Sequence, residues 1–531
     1  METILLVEPN YQNKYPPIGL MKLATYHKQK GDHVIFYKGK APFVLIAKVD
    51  RVYITSLFTF YFDITVDTIN HYAQYINKEN IFLGGIAATI MPERFRKATG
   101  LNNILLNQLI DSQAIGYSDH INIDILPLDY DILDDVEYEY GTDNFFAYAT
   151  RGCPRKCKFC AVKILEPVFL DTNNLYEQII YVRENFGDKR NIMMMDNNII
   201  FSEHLEDICS SLLALGFVNN SPTYMPPNPA VLFYKKLYRR LERQESIWLL
   251  EERFISFLEK FIKRIKNATA LSDISEILVQ LRNTNDKSTT LLEHKDLIIK
   301  TVEKYRTKKR LQRYVDFNQG LDARLLTDEK MAILARLPLR PFRLAYDNIA
   351  STEAYVAAFE CAYKYGVRHF SNYLLYNFDD TPDDLWQRIR KNIDLYNKYQ
   401  DISAFSFPMK YAPVDMTDRS YIGIYWNKKY LSAMNLILNV TKGVVAKELD
   451  FFERAYGKSP EEFKEILAMP NNFIKYRNHF EKNGLIERWR LAYRNLSIKK
   501  KNALLEDLSE DKKCFNNPIM EFYAIKKPIL C

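Results

Sequence analysis

The stretch Thr150-Arg-Gly-Cys153-Pro-Arg-Lys-Cys157-Lys-Phe-Cys160 is the most informative part of this sequence. Its cysteines have the spacing C-x3-C-x2-C and follow a strand-like run, Phe146–Thr150. Thiolates this close together can bind one soft metal centre. A 4Fe–4S cluster usually takes four cysteines, so a set of three leaves one iron open to another ligand. A zinc ion completed by a distant histidine, and buried cysteines without any metal, are the alternatives.

Basic residues surround these cysteines and are expected to favour the thiolate forms and to offset the charge of a cluster. They are Arg151, Arg155, Lys156 and Lys158. The chain has seven cysteines in 531 residues, too few for a disulfide scaffold, and this favours a reducing, cytoplasmic compartment. The other four are scattered and are interpreted as structural: Cys209, Cys361, Cys514 and Cys531.

Strand-like and helix-like patterns alternate on both sides of this stretch, which predicts an α/β chain with parallel sheets and helices on their faces. Upstream strands are predicted at Thr3–Val7, His33–Tyr37, Val52–Leu57 and Ile81–Leu83, with helices at Gly19–Lys30 and Asp63–Asn77. Downstream strands are predicted at Ile192–Met195, Tyr314–Phe317, Phe342–Tyr346, Phe370–Leu375 and Ala404–Pro408, with helices at Asn173–Asn185 and Glu203–Leu215.

This rhythm divides the chain into three regions. Residues 1–140 are predicted to form a doubly wound, Rossmann-like domain, and the acidic, aromatic stretch Asp129–Asp143 is predicted to be a linker to the next region. Residues 141–414 form a barrel-like domain. After the proline-rich break at Pro222–Pro229, residues 230–309 lack strand patterns and are predicted to be a helical insertion. Residues 415–531 form a helical C-terminal region with Trp426 and Trp489 as core candidates.

The C-x3-C-x2-C motif, with Phe159 before its last cysteine and the first barrel strand ahead of it, resembles the signature of the radical S-adenosylmethionine (radical SAM) superfamily. The resemblance implies a partial (β/α)6 TIM-like barrel with a 4Fe–4S cluster on Cys153, Cys157 and Cys160. It implies S-adenosylmethionine on the open iron, reductively cleaved to a 5′-deoxyadenosyl radical that abstracts hydrogen from a substrate. It also implies an electron donor such as flavodoxin or ferredoxin.

Barrel enzymes work at the carboxyl ends of their strands, so polar residues there are the candidate cofactor ligands. Asp196 and Asn197 follow the second strand, where the family often has Gly-Gly-Glu for the methionyl ammonium, and this chain departs from that pattern. Gln319, Asp322 and Arg324 follow the third strand. Asp322 suits a ribose diol and Arg324 a carboxylate, and a structural Asp–Arg pair is the alternative.

Further candidates follow the later strands. Arg343 and Asp347 flank the fourth strand, where they either line the pocket or pair with each other. Asn372 belongs to the fifth strand, and Lys410 and Tyr411 to the end of the sixth. For this group a functional and a structural role are equally open.

The N-terminal region, with Pro16–Leu20 and Gly84-Gly85, resembles the cobalamin-binding domains that precede some radical SAM barrels. The Asp-x-His-x-x-Gly motif for an axial histidine is absent, so cobalamin binding and a shielding role both stay open. Ligands of open parallel sheets sit at the carboxyl edge of the strands. The loops at that edge, Tyr11–Pro17, Ser56–Phe60 and Gly84–Thr89, are therefore expected to roof the cysteines.

The net charge of +7 is concentrated in one region. Between Lys235 and Arg313 there are 20 Lys/Arg against 11 Asp/Glu, a local net charge of +9. This predicts either a nucleic-acid contact or, preferably, a solvated basic face.

The longest apolar stretch, around Tyr53–Phe62, is too short for a membrane span, and the N-terminus lacks a basic signal region. The substrate is left unassigned.

Overall fold

The computed structural model describes residues 1–134, 136, 138–141, 143–172, 174–242, 246–510 and 518–528. Its first region is a parallel sheet flanked by helices. The strands are β1 Thr3–Glu8, β2 His33–Lys38, β3 Arg51–Ser56 and β4 Ile81–Gly85. The helices are α1 Ile18–Gln29, α2 Phe43–Ile46, α3 Phe62–Tyr72, α4 Ile86–Ile90 and α5 Pro92–Thr99. The strand order is β2-β1-β3-β4.

Both faces of this sheet are buried, which explains its continuous apolar runs. Along β1, Ile4 and Leu6 join a core that continues into the rest of the chain, while Leu5 and Val7 join a separate core on the other face. The predicted linker is part of the first core, because Tyr130 and Leu133 are buried in it. The described part of Asp129–Asp143 is therefore packed structure, not a free connection; residues 135, 137 and 142 lie outside the described residues.

The next region contains the cysteine stretch. Its strands are β5 Asn144–Ala147, β6 Thr150–Arg151, β7 Leu170–Asp171 and β8 Asn191–Met194. Its helices are α6 Val162–Leu165, α7 Leu175–Phe186 and α8 Leu205–Ala214. The short antiparallel pair of β6 and β7 was not predicted.

The basic region is helical in its described residues, as predicted. Its helices are α9 Pro229–Glu242, α10 Trp248–Phe261, α11 Ala268–Asn283, α12 Lys287–Glu293 and α13 Lys295–Tyr305. They share an apolar core of their own, in which Phe233 stacks on Phe254 at 3.8 Å between ring centroids. The insertion therefore packs as a unit outside the sheets.

The last region resumes the strands and ends in helices. Its strands are β9 Tyr314–Phe317, β10 Phe342–Ala345, β11 His369–Tyr376, β12 Ser403–Lys410 and β13 Val445–Ala446. Its helices are α14 Asp328–Leu334, α15 Thr352–Lys364, α16 Pro382–Lys398, α17 Lys428–Val440, α18 Leu449–Tyr456, α19 Pro460–Ala468, α20 Asn471–Lys475, α21 Arg477–Lys482, α22 Leu485–Arg494, α23 Ile498–Ser509 and α24 Met520–Tyr523. Trp426 and Trp489 are buried, as predicted.

Short 3-10 helices complete the described structure. They span Thr59–Tyr61, Lys78–Asn80, Ser112–Ile115, Ile123–Ile125, Asp131–Leu133, Ile199–Phe201, Ile262–Arg264, Ala323–Leu325 and Ile349–Ser351.

Six parallel strands of the second half follow one another in chain order. β5, β8 and β9 form one sheet, and β10, β11 and β12 form another, to which β13 adds an antiparallel edge. Isolated bridges join β9 to the segment before β10, from Val315 to Leu339, and the turn after β9 to β10 itself, from Leu321 to Leu344. Parallel pairing brings the carboxyl ends of these strands to the same side. Among the described residues, no helix is long and apolar enough to cross a membrane.

Candidate functional site

The stretch Cys153–Cys160, called the cysteine loop below, begins after β6 with a sharp turn at Gly152. Gly152 has a φ of +73°, and a Cβ there would lie 2.2 Å from the carbonyl oxygen of Val168. Only glycine fits this approach. Cys153, Cys157 and Cys160 are free thiols and are partly exposed. Cys514 and Cys531 lie outside the described residues.

Asp196 holds the chain just before the loop. Its Oδ1 accepts hydrogen bonds from the backbone N–H groups of Ala149 and Thr150, at 2.9 and 2.5 Å, and from the Thr150 hydroxyl at 2.8 Å. Its Oδ2 is buried and has no donor among the described residues. Burial raises the pKa of this carboxyl to about 6, against the opposing effect of the Thr150 and Ala149 hydrogen bonds.

Glu166 closes the loop from the other side. Its carboxylate accepts from Arg151 Nη1 at 3.0 Å, from the Gly152 N–H at 2.6 Å and from Asn197 Nδ2 at 2.7 Å. Asn197, a predicted cofactor ligand, therefore lies near the loop, where its amide is bonded to Glu166. Glu166 was not singled out from the sequence, because no motif marks a lone glutamate six residues after the last cysteine.

The hydrogen bonds of Glu166 with Arg151, Gly152 and Asn197 are called the Glu166 clamp below. A buried ionic network extends from Arg151 of this clamp to the N-terminal region. Arg151 Nε donates to Asp124 at 2.9 Å, and Lys22 Nζ lies 2.9 Å from the same carboxylate. Burial favours a neutral Asp124, yet Lys22 and Arg151 together hold the pKa of this carboxyl below its usual range. Burial lowers the pKa of Lys22 to about 8. The network ties α1 to the base of the cysteine loop.

Polar hydrogens point at the cysteine sulfurs. Cys153 Sγ accepts from the Arg155 N–H and from Asn198 Nδ2, both at 3.4 Å, and Cys160 Sγ accepts from the Val162 N–H at 3.5 Å. These contacts suit sulfur that carries negative charge.

The basic residues were expected to favour the thiolate forms of the cysteines, and the structure shows this effect only in part. Burial raises the pKa of the Cys157 and Cys160 thiols, and for Cys157 the charges of Arg324 and Arg155 oppose this. Arg151 is instead bound by two carboxylates. The side chains of Lys156 and Lys158 are exposed. In the metal-free chain, desolvation therefore outweighs the basic surroundings for these two thiols.

Asp322 and Arg324 lie beside the cysteine loop. Asp322 Oδ2 accepts from Arg155 Nε at 2.7 Å, and Asp322 Oδ1 accepts from Arg324 Nε at 2.7 Å. Although burial opposes it, the two guanidinium groups keep the pKa of Asp322 below its usual range. The predicted Asp–Arg pair is present, and it includes a residue of the loop. Gln319, at the end of the same strand, is exposed.

Asp347 faces the same loop. Its charge contributes to raising the pKa of both Cys157 and Cys160. Burial raises the pKa of Asp347 itself to about 6, against the charges of Arg388 and Arg324. Asp347 does not pair with Arg343, which was one of the two roles expected for it.

Arg343 and Asn372 form hydrogen bonds with residues outside the cysteine loop. Arg343 makes a two-pronged contact with Asp316, at 2.7 and 2.8 Å, between neighbouring strands. Asn372 donates to the hydroxyls of Tyr355 and Tyr396, at 2.9 and 2.6 Å, and these residues belong to α15 and α16. The structure therefore does not bring Asn372 to the cysteine loop. It places this side chain in the layer between sheet and helices.

Lys410 and Tyr411 also have structural partners. Lys410 Nζ donates to the carbonyl oxygen of Arg419 at 2.8 Å. The Tyr411 ring contacts Phe378, whose ring contacts Phe159 of the cysteine loop at 5.7 Å between centroids. This aromatic chain connects the end of β12 to the loop.

Residues near the carboxyl edge of the N-terminal sheet contact later parts of the chain, and a roof over the cysteines themselves stays a prediction. The hydroxyl of Tyr15 donates to Asn318 Oδ1 at 3.1 Å, beyond the end of β9. The guanidinium of Arg419 lies 3.9 Å from the centroid of the Phe60 ring. α4, which overlaps the third predicted roof segment, packs against α6, directly after the cysteine loop.

Away from the cysteine loop, Glu2, His27 and Asp32 are the group of possible metal ligands found among the described residues with ligand atoms within 4.8 Å of one another. Both ring nitrogens of His27 are already used, one by Asp32 at 2.9 Å and one by the Tyr53 hydroxyl at 3.1 Å. Burial also lowers the pKa of His27, against the pull of Asp32. We therefore interpret His27 and Asp32 as a buried structural pair.

A search of protein-family models found no match to this chain, and neither did a search of curated proteins. The fold and the site therefore stand on the geometry alone.

Proposed function

We propose that this chain is a radical SAM enzyme that binds a 4Fe–4S cluster through Cys153, Cys157 and Cys160. The observation that carries the proposal is the cysteine loop. It offers free thiols at the carboxyl ends of parallel strands, clamped by Glu166 and Asp196. In this superfamily the cluster and S-adenosylmethionine together supply a 5′-deoxyadenosyl radical that abstracts hydrogen from a substrate. Six parallel strands in chain order are consistent with the partial barrel of that family.

The spacing of the sulfurs favours a cluster over a single zinc ion. Zinc binds thiolate sulfur at about 2.3 Å in a tetrahedron, which places its sulfurs only about 3.8 Å apart. The three sulfurs of the loop do not all lie within 4.8 Å of one another. A cluster distributes its cysteines over different irons, so it takes a wider set.

For S-adenosylmethionine we propose Asp196 and Arg324. Asp196 Oδ2 is a buried acceptor that no described residue satisfies, and it suits the methionyl ammonium. The Arg324 side chain is about half exposed (45%) beside Cys157 and suits a carboxylate. Asp322, bonded to Arg155 and Arg324, then acts by orienting these two guanidinium groups. Arg343 is left out because its side chain is largely buried in its pair with Asp316, whereas Arg324 keeps an exposed face although Asp322 engages it.

For the N-terminal region we propose a shielding role in preference to cobalamin binding. Tyr11 is buried at the strand ends, where its hydroxyl bonds Thr65 at 2.6 Å. Glu8, at the end of β1, is bonded by the Tyr138 hydroxyl and paired with Lys38. These side chains fill the edge at which an open sheet usually binds a ligand. Extraction of the purified protein for corrinoid tests this assignment.

The anaerobic protein tests the main proposal. Reconstitution with iron and sulfide is expected to give one 4Fe–4S cluster per chain, and reductant with S-adenosylmethionine to release 5′-deoxyadenosine. Changing Cys153, Cys157 and Cys160 to Ala is expected to abolish both signals. Cys361→Ala, in α15, is the matched control and is expected to retain iron. Stoichiometric zinc with no iron in the reconstituted protein would overturn the proposal.

The substrate remains open, and an electron donor such as flavodoxin or ferredoxin and a cytoplasmic location remain predictions. A second candidate function, modification of RNA, rests on the exposed basic run Lys263, Arg264 and Lys266, which follows α10. Clustered basic side chains neutralise phosphates. The aromatic residues Tyr234, Phe254 and Phe261 are in the core of the insertion and are not available for stacking on bases.

A further inference from the structure

Asn198 contacts the cysteine loop with an orientation that local folding does not explain. It is 4% exposed and precedes the 3-10 helix Ile199–Phe201 as its N-cap residue. Its Nδ2 donates to Cys153 Sγ at 3.4 Å. Its Oδ1 is buried and has no donor among the described residues.

Most other asparagines at described helix starts in this chain behave differently. Asn174, before α7, also makes no capping bond, but its oxygen accepts a hydrogen bond from Gln178 Nε2 at 2.8 Å. Asparagine is favoured at the N-cap because its side-chain oxygen accepts a backbone N–H of the first turn. Five such residues make that bond: Asn77, Asn122, Asn267, Asn348 and Asn427. Asn198 has the same position and makes no capping bond. Its amide group is turned to the sulfur instead.

This orientation has a cost in folding free energy. A buried carbonyl oxygen without a donor loses its hydration and gains nothing in return. Such groups are rare in native structures and require an explanation. The opposite orientation of the amide would direct its oxygen at the Cys153 sulfur, which would repel a thiolate. The contact is therefore best suited to a sulfur that carries negative charge.

We infer that Asn198 raises the reduction potential of the proposed cluster by donating a hydrogen bond to the Cys153 sulfur. This inference rests on the proposed function. Hydrogen bonds to cluster sulfurs stabilise the reduced, more negative state, and they are one of the protein's means of setting the potential. The Arg155 N–H donates to the same sulfur from the backbone, so a side-chain change removes one of two donors.

The test compares the same substitution at two helix starts. Leu has the same number of side-chain heavy atoms and the same branching as Asn, is somewhat larger, and has no polar atoms. In Asn198→Leu it removes both the sulfur donor and the unsatisfied oxygen. In Asn267→Leu it removes a capping bond to the Ala270 N–H, 2.9 Å long, in the helical insertion. The measurements are the midpoint potential of the reconstituted protein by a redox titration followed by EPR, its iron content, and the thermal unfolding of the metal-free chain.

Opposite outcomes are expected for the two variants. Asn198→Leu is expected to keep its iron, to shift the midpoint potential to a more negative value, and to leave the melting temperature of the metal-free chain unchanged or higher. Asn267→Leu is expected to lower that melting temperature and to leave the potential unchanged. An unshifted potential in iron-loaded Asn198→Leu would overturn the inference while the proposed function stands. Failure of the unchanged protein to take up iron would overturn both.

Discussion

Removal of the Glu166 carboxylate is expected to lower the local stability of the chain around the cysteine loop, because three hydrogen bonds are lost. In Glu166→Ala, Arg151, Gly152 and Asn197 each lose a hydrogen bond to a charged acceptor. At about 1.5 kcal/mol each, the low end for bonds to a charged acceptor, these sum to about 4.5 kcal/mol, and water entering the space recovers part of it. Arg151 keeps its bond to Asp124, so it is not left as an unpaired buried charge. We expect a loss of about 3 kcal/mol in local stability.

Glu166→Gln separates the ion pair from the hydrogen bonds. Gly152 and Asn197 donate to one carboxylate oxygen and Arg151 to the other. The Gln oxygen can keep the first two bonds, so only the contact with Arg151 is lost. We expect about 1.5 kcal/mol for this variant, about half the effect of Ala.

Hydrogen exchange of the metal-free chain, followed by mass spectrometry on peptides covering β6 and β7, is the appropriate assay. Local opening determines the exchange of these amides. A loss of about 3 kcal/mol corresponds to roughly 150-fold faster exchange in Glu166→Ala, and about 1.5 kcal/mol to roughly tenfold in Glu166→Gln. Amides of α15 are expected to be unaffected. The control is Glu177→Ala, an exposed glutamate in the first turn of α7. Exchange in Glu166→Ala equal to that in this control would refute the clamp.

Three further predictions concern buried charge and the basic surface. Burial raises the pKa of Asp196 from 3.8 to about 6. Ionisation of this carboxyl above pH 6 therefore lowers the free energy of unfolding by up to about 3 kcal/mol, and this penalty vanishes below pH 3.8. Asp196→Asn is therefore expected to melt at the same or a higher temperature than the unchanged protein at pH 7.5, with the gain lost toward pH 4; a clearly lower melting temperature at pH 7.5 would contradict this. Arg343→Met leaves Asp316 as an unpaired buried charge and is expected to cost about 3–5 kcal/mol in a denaturant titration, most of it recovered by adding Asp316→Asn; equal stability of the single and double variants would refute the pairing. If RNA is a partner, Lys263→Glu with Lys266→Glu is expected to weaken RNA binding and to flatten its salt dependence in a gel-shift titration; unchanged binding would exclude this surface.

Much of the strand pattern was readable from the sequence. The apolar runs at Thr3–Val7 and Tyr314–Phe317 became β1 and β9 with boundaries moved by one residue at most. A short apolar run bounded by polar turns has few alternatives to a buried strand. The two-residue strands β6, β7 and β13 were missed because pairs of residues carry no detectable period.

The sequence by itself predicted where the chemistry of this chain is concentrated. The spacing of three cysteines predicts a metal site wherever the loop is placed, because the thiols are close in the chain. The lack of strand patterns in residues 230–309 likewise predicts a helical insertion without reference to any partner.

Only the tertiary structure decided which side chains join that loop. Asn372 and Ser371 are adjacent in the chain, but alternation along a strand sends them to opposite faces. Ser371 contacts Arg343, whereas Asn372 contacts the helices. Asp316 is paired with Arg343, a partner 27 residues away on the neighbouring strand. A hydrogen bond depends on distances of a fraction of an ångström between segments remote in the chain, and no local pattern in the sequence carries that information.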